Sequence, residues 1–170
     1  MRVSVRLGSI VFVAATSILA VTGCGRAPSP TLSPSPSVSI EPYVPGLGEI
    51  MSLQQMRHAK LWLAGQARNW ELAAYEVKEL GEGFDDVVKL HPTHEGSPVA
   101  PKDAIPRMVT KPLEDLRQAV DKQGPAAFAA AYDSLTAACN NCHVATNFGF
   151  NHVQRPASNP YPNQVFARVR

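Results

Sequence analysis

The sequence predicts an all-α fold, an antiparallel four-helix bundle, on three observations. Apolar residues recur at alternating spacings of four and three over long stretches, and helix-breaking residues bound each stretch. No stretch alternates polar and apolar residues with the period of two that a half-buried strand requires, and no internal repeat appears.

Before the helices come two segments of different character. Residues 1–23 read as an export signal, with Arg2 and Arg6 as its charged start and a mostly apolar run from Leu7 to Val21. That run is short for a membrane span. It ends in Val21-Thr22-Gly23-Cys24, which resembles the lipobox of bacterial lipoproteins. The resemblance implies cleavage before Cys24 and a lipid on Cys24, placing the protein on the periplasmic side of a bacterial membrane. A signal cleaved elsewhere, or an uncleaved anchor, is the alternative, and either exports the chain. Gly25 stands where a retention aspartate would stand, which favours the outer membrane in a host that has one.

Loss of Arg2 and Arg6 with the signal takes the 16 basic residues to 14, against 14 acidic ones. A neutral chain has no electrostatic footprint for nucleic acid, so nucleic-acid binding is set aside. Residues 24–45 then form a tether. Six of the chain's 15 prolines (Pro28, Pro30, Pro34, Pro36, Pro42 and Pro45) stand there among serines, a composition that favours extended polyproline geometry reaching about 3 Å per residue.

The folded domain is expected over residues 46–148. Leu47, Met51, Gln54, His58 and Leu61 form the seam of a first helix that ends near Gly65. Ala73, Val77, Leu80, Phe84 and Val87 repeat the spacing in a second helix, capped by Asn69 and stopped by Pro92. So short a connection requires the two helices to pack antiparallel. The segment from His91 to Val109, interrupted by Pro92, Pro98, Pro101 and Pro106, is expected as a long loop. A third helix is capped by Thr110, carries Pro112 in its first turn and turns Leu113, Leu116 and Val120 inward. After Gly124-Pro125, a fourth places Phe128, Tyr132, Leu135, Cys139, Cys142 and Thr146 on one stripe. Residues 149–170 are too rich in proline for helix, and their aromatics suggest an extension packed back on the bundle.

One motif carries chemistry. Cys139-Asn140-Asn141-Cys142-His143 has the Cys-x-x-Cys-His spacing of c-type haem attachment. On a helix these three side chains fall within about 100° of arc, so two thiols can meet the two haem vinyls while the imidazole reaches the iron. Two other readings compete. A redox dithiol sits at a helix start in a βαβ setting, which this chain lacks. A tetrahedral zinc site would add His91 and His94 to the two cysteines. The histidine directly after Cys142, and export, favour haem.

A four-helix bundle with this motif on its last helix resembles the class II c-type cytochromes, the cytochrome c prime group and its six-coordinate relatives. The resemblance spans about Leu47 to Phe148 and rests on Cys139 to His143. It implies one covalent haem c, with Cys139 and Cys142 as the thioether anchors and His143 as the proximal iron ligand. Two features depart from the family. No basic residue follows His143 closely and a long tail continues past it; the lipoprotein tether is also unusual.

In that family the first helix covers the distal face of the haem, with methionine in the electron carriers and a non-coordinating apolar residue in the gas binders. By that resemblance Met51 is the expected distal ligand and His58 the alternative; Met56 lies off the seam. His91, His94 and His152 are expected on loops or the surface, and Trp62, Trp70 and Tyr75 as helix-packing aromatics. The implied function is a monohaem single-electron carrier serving periplasmic or membrane redox proteins. A five-coordinate binder of nitric oxide or carbon monoxide and a zinc-stabilised structural lipoprotein are the alternatives. No convergent acid and base pair points to an enzyme, although an open haem would allow weak peroxidase-like activity. A homodimer is left open.

Overall fold

A computed structural model describes residues 41–169, so the expected signal, Cys24 and the tether up to residue 40 lie outside the described residues. Among the described residues there are five helices and no strand. They are α1 (Leu47–Gln66), α2 (Trp70–Leu90), α3 (Pro101–Met108), α4 (Thr110–Asp121) and α5 (Pro125–Ala145). The all-α class follows the sequence pattern, as do the inward faces. In α1, Gln54, His58 and Leu61 are buried; in α2, all five seam residues from Ala73 to Val87 are buried. Asn69 caps α2, its side-chain oxygen accepting the Leu72 N–H at 3.2 Å and satisfying one of the free amides of the first turn.

The structure corrects three expectations. The segment 91–109 is not loop throughout, because α3 occupies its second half. Pro101 stands in the first turn of α3, where a missing N–H costs nothing, and Pro106 lies inside a helix of only eight residues. Thr110 is not a cap but the first residue of α4; Val109 precedes it and gives no side-chain cap. Pro112 accounts for this break, since its ring collides with the carbonyl four residues back, at Met108. Tyr75, expected to pack between helices, is 55% exposed.

α1 packs on α2, α2 on α4, α4 on α5 and α5 on α1, while α3 lies against α2, α4 and α5. The deepest side chains include Leu61, Leu80, Leu116, Phe128, Tyr132 and Leu135. Glycine sets the approach of α1 to α5. A Cβ on Gly65 would lie 2.1 Å from Cε1 of Phe128, a distance no side chain tolerates.

Three chain reversals use residues with left-handed backbone: Arg68 (φ 54°), Gln123 (φ 53°) and Asn147 (φ 66°). After α5, the Phe148 N–H donates to the His143 carbonyl at 2.6 Å and the Asn147 N–H to the Val144 carbonyl at 3.3 Å, the pair of bonds that defines a Schellman ending.

Beyond Asn147 the chain runs without helix and lies against α1, α2 and α5. Arg155 forks onto both carboxylate oxygens of Asp133 at 2.6 Å and lies 4.0 Å over the Trp62 ring. Asn69 donates to the Phe166 carbonyl at 3.2 Å, and the Phe166 side chain is buried. No described helix is long and apolar enough to cross a membrane.

Candidate functional site

The start of α1, the second half of α2 and the end of α5 meet around a cavity of about 530 Å³. That is within the size range of ligand sites. The loop before α3 and the first residues of the tail complete its wall. Cys139, Cys142, His143, Met51 and His58 all line it, so the three motif residues and both distal candidates share one space. Leu80, Phe84, Val87 and Leu135 supply apolar wall. Among the described residues of the lining there is no Asp, Glu, Lys or Arg.

Cys139 and Cys142 stand half-buried at the core-seam positions of α5, both as free thiols. Burial pushes the Cys139 thiol up to about 12, the neighbouring Cys142 adding to the rise, and burial raises Cys142 too. Thiols held protonated are poor thiolate nucleophiles, which is the opposite of what a redox dithiol needs.

His143 is in the last turn of α5, and its ring Nδ1 is hydrogen-bonded to the carbonyl of Asn151. A carbonyl only accepts, so Nδ1 carries the proton and Nε2 keeps its lone pair. Metal-binding histidines are prepared in this way, with the far nitrogen fixed by a backbone acceptor. Thr146, buried one turn on, donates to the Cys142 carbonyl at 2.8 Å and ties down the helix end beneath the motif.

His58 is in a different state. Its Nε2 lies 2.8 Å from the Thr136 hydroxyl and its Nδ1 2.9 Å from the Tyr132 hydroxyl. Thr136 spends its own proton on the Tyr132 carbonyl at 2.8 Å, so it accepts from His58 Nε2–H, and Nδ1 faces the Tyr132 hydroxyl, whose one proton is shared between Nδ1 and the His58 carbonyl at 3.0 Å. Burial lowers the His58 pKa to about 4 and raises that of the Tyr132 hydroxyl, keeping both neutral. Both ring nitrogens of His58 therefore already face hydroxyl partners. Met51, half-buried against the core, lines the cavity and has a thioether with no such hydrogen bonds to break.

The remaining histidines divide. His91 is bonded through Nε2 to the Pro45 carbonyl at 2.8 Å and is not part of the cavity wall. His94 lines the cavity with its ring tilted against that of Phe148, centroids 5.4 Å apart, and His152 joins the wall from the tail. Among the described residues no group of three or more His, Cys, Asp or Glu side chains is gathered as for a metal ion, and of the four residues of the zinc alternative Cys139, Cys142 and His94 line the cavity while His91 does not. Trp62 stacks on Phe128 at 6.0 Å and Trp70 meets its edge at 5.8 Å, both away from the cavity.

Sequence reasoning missed Asn140, Asn151 and Val153. The Asn140 amide donates to the Val153 carbonyl and accepts the Val153 N–H, each at 2.9 Å. The one local signal was Asn147, a residue type that tolerates left-handed backbone and so marks where the chain turns back over α5. Comparison with protein families, curated proteins and solved structures finds no match to this chain.

Proposed function

We propose that this protein is an exported, lipid-anchored monohaem c-type cytochrome that carries single electrons between periplasmic or membrane redox proteins. The observation that carries the reading is the cavity on which Cys139, Cys142, His143 and Met51 converge, with His143 held in the tautomer that leaves Nε2 free. The closed contact circuit of α1, α2, α4 and α5 supports a four-helix bundle of the class II kind, with α3 as an added element.

In this reading Cys139 and Cys142 would hold the haem through their sulfurs. Haem bound there supplies a one-electron ferric/ferrous couple. His143 through Nε2 and Met51 through its sulfur would hold the iron, a pair that would raise the potential and close the iron to small molecules. The uncharged wall acts in the same direction, because it disfavours the extra positive charge of the ferric state. His58 and Tyr132 stay neutral and fix the depth of α5 against α1 rather than moving protons. A lipid on Cys24 and the tether would let one carrier reach several partners without leaving the membrane.

The test is the ferrous absorption spectrum of protein produced in a host with c-type haem maturation, taken before and after carbon monoxide. Sharp low-spin bands unmoved by the gas are expected, and Met51→Ala should convert them to a spectrum that responds to it. A wild-type spectrum that responds would make the protein a five-coordinate gas binder. Absence of haem absorption would overturn both.

A further inference from the structure

We infer that the C-terminal tail is a working part of this site, and that Asn140 is a positioning residue that docks the tail so that Asn151 holds His143 ready to bind. The inference rests on the proposed function only for what His143 binds.

Asn140 occupies a spacer position of the motif, three residues before His143 and so beside it on the helix surface. Its amide makes two opposed hydrogen bonds to the backbone of one residue, Val153, both at 2.9 Å. Among side chains of this length only an amide carries donor and acceptor side by side; aspartate lacks the donor. Two residues back from Val153, the Asn151 carbonyl receives the His143 Nδ1–H. The segment between is fixed at its other end as well, by the reversal at Asn147 and by the Asn151 N–H donating to the Phe148 carbonyl at 2.8 Å. Asn147 adds a bond from its side chain to the Gly96 carbonyl at 3.1 Å, joining this turn to the loop that walls the cavity.

The loop is therefore held at both ends, with the acceptor for His143 in the middle. A carbonyl at Nδ1 makes the imidazole a stronger donor through Nε2, which favours ferric over ferrous iron and lowers the potential. Arg155 fastens the tail separately, at Asp133 and Trp62, beyond this loop.

The experiment compares Asn140→Ala and Arg155→Ala with the wild type in the full-length, haem-bearing chain. Hydrogen exchange of the Val153 amide should be about tenfold faster in Asn140→Ala, as for loss of one hydrogen bond. The midpoint potential should rise by up to about 59 mV, a tenfold change in ferric preference for a one-electron couple. Arg155→Ala should leave the potential in place. Equal shifts in both variants would mean general loosening of the tail, and an unchanged potential in Asn140→Ala would mean no positioning role; either overturns the inference. If Asn140→Ala does not accumulate, Asn140→Ser, which removes the paired amide bonds without adding a charge, should give a rise of the same sign, and no rise would overturn it equally. A chain without haem would sink the proposed function and leave this inference readable. Ring nitrogen shifts of His143 should then report the Nδ1–H tautomer in the wild type and the Nε2–H tautomer in Asn140→Ala, and one tautomer in both would overturn it.

Discussion

At the Gly65 end of α1, the rings of Trp62, Trp70, Phe128 and Tyr132 pack against one another and leave no room even for a methyl group. At the Met51 end the same three helices line a cavity of about 530 Å³, with two half-buried thiols on its wall. One seam spacing runs through both ends, so spacing is not what separates them. Side-chain size is: aromatics and a glycine close one end, while methionine, cysteine and histidine leave the other to be completed. The closed end supplies the stability that lets the open end keep its space.

Substitutions should separate the two ends. The largest effect is expected from Phe128→Ala, which removes a fully buried ring and should cost about 3–5 kcal/mol in denaturant unfolding. If the open end holds the proposed haem, the position of its absorption bands in whatever protein still folds should not move. A spectral change as large as the loss of stability would show that the ends are not independent.

The second effect depends on pH and lies where the two ends meet. His58 is neutral in the folded protein, with its pKa lowered by burial from 6.5 to about 4. The unfolded chain therefore binds the extra proton first as the pH falls. Stability is complete above about 6.5, declines as the pH falls toward 4, and loses up to about 3 kcal/mol there. Unfolding measured across that range should show the slope in the wild type, and His58→Gln should remove this contribution. A slope that persists unchanged would place its origin elsewhere.

The smallest effect belongs to Asn69, which caps α2 and holds the Phe166 carbonyl at the closed end. Asn69→Ala should lower stability by about 1 kcal/mol without touching the potential. Thermal unfolding paired with voltammetry reads both.

Much of this was legible beforehand because helical spacing is local. The seams of α1, α2 and α5 and the Asn69 cap follow from residues a turn apart. The motif was legible for the same reason, since Cys139, Cys142 and His143 lie on one turn. α3 was hidden because Pro101 and Pro106 read as breakers, whereas a proline in the first turn starts a helix as readily as it stops one. The role of Asn140 was hidden because its partner is a backbone thirteen residues on, and backbone groups leave no mark in a sequence. The surroundings of His58 were hidden too, because Thr136 and Tyr132, which face its two nitrogens, come from another helix.

The central claim is that the open end is completed by a covalently held haem. Its most direct test is the intact mass of the chain from a host with c-type haem maturation, set beside a Cys139→Ser/Cys142→Ser double variant. The account predicts a wild-type chain heavier by one haem that survives denaturation, and a variant without it. A wild-type mass with two unmodified thiols at Cys139 and Cys142 would contradict it.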